Sequence, residues 1–212
     1  MRYFEGIDIS HWQGDIDFTK VQPQVDFVIL KAGGSDKGFY KDSKFEEYYK
    51  YWNALKIPMG AYYFVGKNFT SIADGVADAE RFLKIVEGKK FSYPLFLDLE
   101  ATSPADKKGA TEASIAFCKY VQNHGYYVSI YASEVSGFKD RLDASKLGAF
   151  DLWVAKYPVD AVYSNKPKML RSYGMWQYTS KGRITGIKGN VDRDVAFYNY
   201  PEIMKKAHLN GF

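Results

Sequence analysis

The segment Tyr93 to Glu100 reads YPLFLDLE, an apolar run that ends in two carboxylates separated by one leucine. Side chains alternate across a strand, so residues two apart share a face. Leu95, Leu97 and Leu99 then lie on one side, and Phe96, Asp98 and Glu100 on the other. Carboxylates crowded together repel, and burial disfavours their ionisation, so at least one of a cluster keeps its proton near neutral pH. A retained proton beside a negative charge is what glycoside hydrolysis needs. The acid protonates the leaving oxygen, and the charge stabilises an oxocarbenium-like transition state.

The same parity applied to FEGIDIS sends Ile7 and Ile9 outward and Asp8 inward. In YYVSIYAS, Val128, Ile130 and Ala132 go outward while Tyr127, Ser129 and Tyr131 go inward. VDRDVAF places Asp192 and Asp194 together, opposite Val191, Arg193 and Val195. Three strands thus aim carboxylates at one opening. Tyr62, Tyr63, Tyr131, Trp153, Tyr157, Trp176 and Tyr178 lie at the same strand ends as candidate platforms for sugar rings, with Gln177 as a polar substrate contact. His11, three residues after Asp8, either lines the cleft or makes a structural hydrogen bond.

These residues need a scaffold that brings strand ends together. Eight strand-like runs recur: FEGIDIS, DFVILKA, IPMGAYYFV, YPLFLDLE, YYVSIYAS, DLWVAKYP, GMWQYT and VDRDVAF. Several are near-continuous apolar runs, as in strands covered on both faces, and helical patterns separate the early ones. In DSKFEEYYKYWNALK, Phe45, Tyr48, Tyr49, Trp52 and Leu55 recur at helical spacing until Pro58. SIADGVADAERFLKIVEGK places Ile72, Val76, Ala79, Leu83 and Val86 on one stripe. Thr111 reads as the N-cap of a helix closed by His124 and Gly125. Shorter helical pieces fit around Phe18 to Val21 and Phe138 to Leu147. The late connections NKPKMLRS and KGRITGIKGN are too short or irregular for full helices. At 212 residues the chain falls below the ~250 of a complete (β/α)₈ barrel. The fold class expected is therefore α/β, a trimmed barrel whose catalytic groups gather at the C-terminal strand ends.

Composition narrows the chemistry. A net charge of +4, with no long run of like charge and no phosphate-binding loop in KAGGSDKG, argues against a nucleic-acid partner. One cysteine, Cys118, set in IAFCKYV, excludes an internal disulfide. His11, His124 and His208 form no zinc pattern. No apolar run reaches the ~18 residues of a membrane span, and MRYFEGIDIS has no signal-peptide character. Three other readings fit the same acids and aromatics: a hydrolase for another acetylated polysaccharide such as chitin, a hard-oxygen site for a divalent cation, and an aromatic binding module without chemistry.

Taken together and in order, GIDISHWQG, DFVILKAGG, PMGAYYFV, FLDLE, VSIYAS, LWVAKYP, MWQYTS and NVDRDVAF resemble the family 25 glycoside hydrolases, lysozymes that cut bacterial peptidoglycan. The resemblance covers nearly the whole chain. It implies a single catalytic domain over residues 1–212, built as a modified TIM-like barrel with eight strands and about five helices, (β/α)5(β)3. It implies a metal- and cofactor-free muramidase, acting as a monomer on peptidoglycan glycan strands at the β-1,4 bond from N-acetylmuramic acid to N-acetylglucosamine. Carried over by position, Glu100 matches the general acid/base, Asp98 the aspartate beside it, and Asp8 and Asp192 the two further acids. The implied place of action is the bacterial cell wall, reached as a phage lysin through a membrane lesion or as a secreted form trimmed of its signal. Two departures bear on substrate preference: KAGGSDKG stands where many relatives carry a threonine and a glutamate, and Asp194 where an asparagine is common.

Overall fold

The structure, a computed structural model, describes residues 3–148, 150–160, 163–169 and 171–212. Met1 and Arg2 of the N-terminal reading and Leu170 of the NKPKMLRS connection lie outside them. All eight expected strands form: β1 (Phe4–Ile9), β2 (Phe27–Gly34), β4 (Met59–Val65), β5 (Leu95–Leu99), β6 (Val128–Ser133), β7 (Asp151–Ala155), β8 (Met175–Gly182) and β9 (Val191–Ala196). A two-residue β3 (Tyr40–Lys41) adds to the end of β2 as a short antiparallel arm. The barrel closes because β1 pairs with both β2 and β9.

The ladders from β1 through β2, β4, β5, β6, β7 and β8 are parallel. β9 instead runs antiparallel to β8 and β1. Residues 183–190 are all that separate β8 from β9, and a parallel return needs a crossover of about a dozen residues or more. The chain can only fold back as a hairpin.

Helices follow the first strands in turn: α1 (Phe18–Val21), α2 (Phe45–Ala54), α3 (Ile72–Val86) and α4 (Lys107–Asn123), with a π-helical turn over Glu134–Lys139 after β6. The piece expected around Phe138 to Leu147 is this turn plus a 3₁₀ turn at Ala144–Lys146. In α3 the expected stripe is rotated. Ile72 is exposed, and Gly75, Asp78, Ala79, Phe82, Ile85 and Val86 are buried. The cause is Gly75. A Cβ there would sit 2.2 Å from the Ala113 carbonyl oxygen, so the bare backbone of α3 lies directly against α4. Asp78, on the buried face, is satisfied by Ser35, Tyr63 and Arg81.

Thr111 is not the cap of α4, which starts four residues earlier at Lys107, after a 3₁₀ turn capped by Ser103. Its hydroxyl donates back to the Lys107 carbonyl and accepts from the Asp143 backbone. A further helix, α5 (Tyr200–Ala207), follows β9. Its Tyr200 and Met204 join Phe27, Tyr93 and Phe96 inside the barrel. The opposite face of the strands, with Leu95, Leu97 and Leu99, packs on the surrounding helices. One end of the barrel is thus filled, which leaves the C-terminal strand ends as the open one.

Candidate active site

β5 delivers the two acids as its parity requires. Leu95, Leu97 and Leu99 are sealed in the outer layer, while Phe96 packs inward on Trp153, ring centroids 4.8 Å apart. Asp98 and Glu100 continue that inward face and line a cavity of about 240 Å³ together with Asp8 and Asp192. The antiparallel turn of β9 is what completes the cluster, since it sets Asp192 directly beside Asp8 across the β1–β9 ladder.

The two β5 acids differ in access. Asp98 is only 4% exposed, and its Oδ1 has no hydrogen-bond donor among the described residues. Glu100, just past the end of the strand, is open to the cleft. It is reachable by water from one side and flanked by protein on the others, as a group at the foot of an open cleft must be. Burial raises the affinity of both carboxyls for a proton. For Asp98 the Glu100 charge adds to this, while Lys31 opposes it; for Glu100, Lys31 and Arg141 oppose it. The pair therefore holds a proton beyond the ordinary carboxylate range, and that proton belongs to the pair.

Across the cavity a second acid group is wired differently. Tyr131 and Tyr157 both donate their hydroxyls to Gln177 Oε1. This fixes the amide so that Nε2 donates to Asp8 Oδ2 at 2.7 Å. Asp8 lies against Asp194, which is 0% exposed and accepts from Trp153 Nε1 at 2.9 Å. Among the described residues, Asp194 Oδ2 meets no N–H or O–H donor. Asp8 and Asp194 are hydrogen-bonded neighbours, which requires a proton on one of the two carboxyls. Burial comes first and neighbouring acids second in raising Asp8 and Asp194 well above the usual range; Asp192 is pushed up to about 6 by burial and then by Glu100.

Two consequences are measurable. Asparagine at 194 can accept from the indole and donate to Asp8, so Asp194→Asn is expected to keep activity within about threefold, whereas Asp194→Ala strands two buried polar groups at about 1–3 kcal/mol each. Thermal unfolding and cell-wall clearing by the two variants check this; equal loss in both would contradict it. The second concerns pH. An acid whose folded pKa is raised binds its proton more tightly in the folded state, so its stabilising effect is present below the unfolded value and is lost as pH rises. For Asp192 that window runs from 3.8 to about 6. The thermal midpoint is expected to fall across this interval, and Asp192→Asn to flatten part of the fall. A midpoint that climbs over the same range would contradict the assignment.

Not every expected contact reaches the cavity. Tyr62, Tyr131, Trp153, Tyr157 and Gln177 line it with the acids. Tyr63 does not: one residue out of phase with Tyr62, it faces the outer layer, packs on Phe82 and Phe117, and hydrogen-bonds Asp78. Trp176, one residue out of phase with Gln177, is 3% exposed and donates to the Lys156 carbonyl. Tyr178 shares its side of β8 and bonds Glu5. His11 lies in the adjoining cavity, where Asp42 accepts from its backbone N–H and lies 2.6 Å from its Nδ1. Asp42 thus anchors the loop after β1 as well as marking the approach to α2.

Trp12, Lys31 and Phe64 also line the acid cavity. Parity could have found the last two, because Lys31 shares the inward phase of Phe27 and Ile29, and Phe64 that of Tyr62. Trp12 had a weaker signal. Its loop carries a capping box in which Ser10 and Gln13 bond each other's backbone, and this turns the indole outward at 77% exposure.

A closed α/β barrel with carboxylates gathered at its open end and aromatic side chains around them has the architecture of the barrel glycoside hydrolases. The sequence profile of Glycosyl hydrolases family 25 matches residues 7–187. The chain belongs to that family. It is 29% identical over 191 residues to an autolytic lysozyme of Clostridium acetobutylicum, covering 90% of this chain and 55% of the relative. It is likewise 29% identical over 206 residues to lysozyme M1 of Streptomyces globisporus, covering 90% and 66%. The chain thus spans under two thirds of either relative. Among solved structures it resembles the CTP1L endolysin, with a TM-score of 0.79 and 27% identity over 97% of this chain and 70% of that one. It also resembles the modular autolysin LytC of Streptococcus pneumoniae, solved with a synthetic peptidoglycan ligand, with a TM-score of 0.76 and 26% identity over 92% and 47%.

Proposed function

We propose that this chain is a muramidase, cleaving the β-1,4 bond from N-acetylmuramic acid to N-acetylglucosamine in peptidoglycan, with Glu100 as the proton donor. The observation that carries the reading is the difference in access between the two β5 acids. Asp98 lies at the floor of the cavity, 4% exposed, and Glu100 opens to the cleft, so Glu100 is the one placed to meet a leaving oxygen. Asp98, two residues earlier on the same strand, approaches the sugar from the same side. In that place it orients the substrate's own 2-acetamido group as nucleophile and stabilises the charged ring that forms, a substrate-assisted route distinct from the two-carboxylate scheme. Glu100 protonates the departing oxygen first and then, as a carboxylate, takes a proton from the incoming water. Asp8 and Asp192 hold the far wall of the cavity and keep its potential negative beneath the developing cation.

The test is chemical. Purified peptidoglycan is digested, the new ends are reduced with borohydride, and the reduced sugar is identified. Muramitol is the expected product. Glucosaminitol would assign the chain to the other glycan bond, and no new ends would make it a binding module. The first-formed anomer, read by NMR within the first minutes, is expected to retain the β configuration. Activity is expected to survive EDTA.

A further inference from the structure

A second cavity, of about 550 Å³, adjoins the acid cavity, and Trp12, Lys31 and Phe64 line both. The two form one trough, and a polymer cut in the first part extends along the second. The charge reverses along it. The acid cavity sets Asp8, Asp98, Glu100 and Asp192 against Lys31 alone, whereas the second part has Lys31 and Lys37 against Asp36, whose carboxylate engages the Tyr40 hydroxyl.

Lys31 is held in an unusual way. Its ammonium rests 4.8 Å from the ring centre of Phe64, 5.6 Å from Tyr40 and 5.8 Å from Tyr62. No ion pair among the described residues involves Lys31 or Lys37. Aromatic faces hold a cation in place, yet they leave it able to form a charge-assisted hydrogen bond with a carboxylate from outside. Beside these cations, Trp12 is tilted against His11 at 4.7 Å and lines the trough, 77% exposed, where a ring or a peptide could rest on it.

We propose that this second part of the trough is a carboxylate-reading site, in which Lys31 and Lys37 bind an acidic group carried by the muramoyl residue, the free carboxylate of its stem peptide. The proposal rests on the muramidase reading. It explains why a site surrounded by acids also keeps at its edge two lysines that form no close ion pair among the described residues. The scissile sugars carry no negative charge of their own, but the peptide attached to one of them does.

The test uses two preparations of soluble glycan strands that differ at the second stem residue, which carries an α-carboxylate in one and a carboxamide in the other. The chain is expected to cut the acidic strands with a kcat/KM about tenfold higher, the scale of one charge-assisted hydrogen bond. In Lys37→Gln that ratio is expected to fall to about twofold, and raising the salt is expected to shrink it in the parent chain, because Lys37 is exposed and screened. A third preparation, stripped of peptides, exposes the lactyl carboxylate. If Lys37→Gln loses as much on these strands, which have no stem peptide, as on the acidic ones, Lys37 does not read the stem carboxylate and the proposal is overturned. Equal cutting of acidic and amidated strands by the parent chain, or a ratio unchanged in Lys37→Gln, would overturn the proposal alone. Failure to cut any of the three would overturn the muramidase reading and the proposal with it.

Discussion

Glu100→Gln is expected to lower the rate of peptidoglycan cleavage by at least about 10³-fold, within the 10²–10⁴ range that a positioned acid contributes. Glutamine keeps the size and polarity of the side chain and removes only the proton that can be given away. The loss should lie in kcat, because substrate contacts along the trough are untouched. Folding should be nearly unaffected. Glu100 is open to solvent at the end of β5, it is not part of the packed interior, and neutralising it relieves repulsion on Asp98 and Asp192. The thermal midpoint is expected to stay level or rise slightly. A variant that unfolds early would make the loss structural, and one that keeps a tenth of the activity would remove Glu100 from the chemistry.

Asp98→Asn is the second large effect. Its carboxyl is buried, with one oxygen that meets no donor among the described residues, so the charge is placed where it does little for the resting fold and much for a developing cation. Removing one preorganised group of this kind costs about 10²–10³ in kcat. Asparagine also changes the neighbour of Glu100. With the Asp98 charge gone, Glu100 loses the partner with which it shares a proton, and the alkaline limb of the pH–rate profile, where Glu100 gives up the proton it must donate, should move along with the fall in rate. A matched loss in Asp98→Asn with an unmoved profile would make Asp98 a contact for substrate alone.

Much of this site could be read from strand parity. Alternation placed Asp8, Asp98, Asp192 and Tyr131 inward from their spacing to buried leucines, isoleucines and valines, because a one-residue slip would have exposed the whole apolar set. Parity also separates two of the strand-end aromatics from the site. Tyr63 and Trp176 sit one position from the inward-facing Tyr62 and Gln177, and their aromatic character outweighed their phase in the sequence reading. What parity could not reveal is long-range wiring. The bonds from Tyr131 and Tyr157 to Gln177, on to Asp8, and from Trp153 to Asp194 join β6, β7, β8, β1 and β9, and no local pattern encodes which side chains meet across a barrel.

The rotated stripe of α3 and the additional helix α5 have a similar origin. The stripe of α3 follows the helix against which it packs, and Gly75 allows a backbone contact that hydrophobicity does not report. α5 carried local signals that went unread. Asn199 caps it, Pro201 opens it, and His208 at φ 52° closes it, yet its eight residues offered only a short periodic stretch. Its position inside the filled end of the barrel explains why the trimmed fold needs no eighth helical crossover. Tyr200 and Met204 fill space that would otherwise be open to water.

Direct titration of Glu100 bears most closely on the account. With glutamate labelled with ¹³C at the side-chain carboxyl, the Glu100 resonance is assigned by its absence in Glu100→Gln and followed across pH in the intact chain. Its midpoint is expected above the ordinary 4.5, raised by burial against the pull of Lys31 and Arg141, and expected to shift in Asp98→Asn. A Glu100 carboxyl that titrates at or below 4.5, unmoved by the loss of Asp98, would mean that no proton is held where the leaving oxygen needs one.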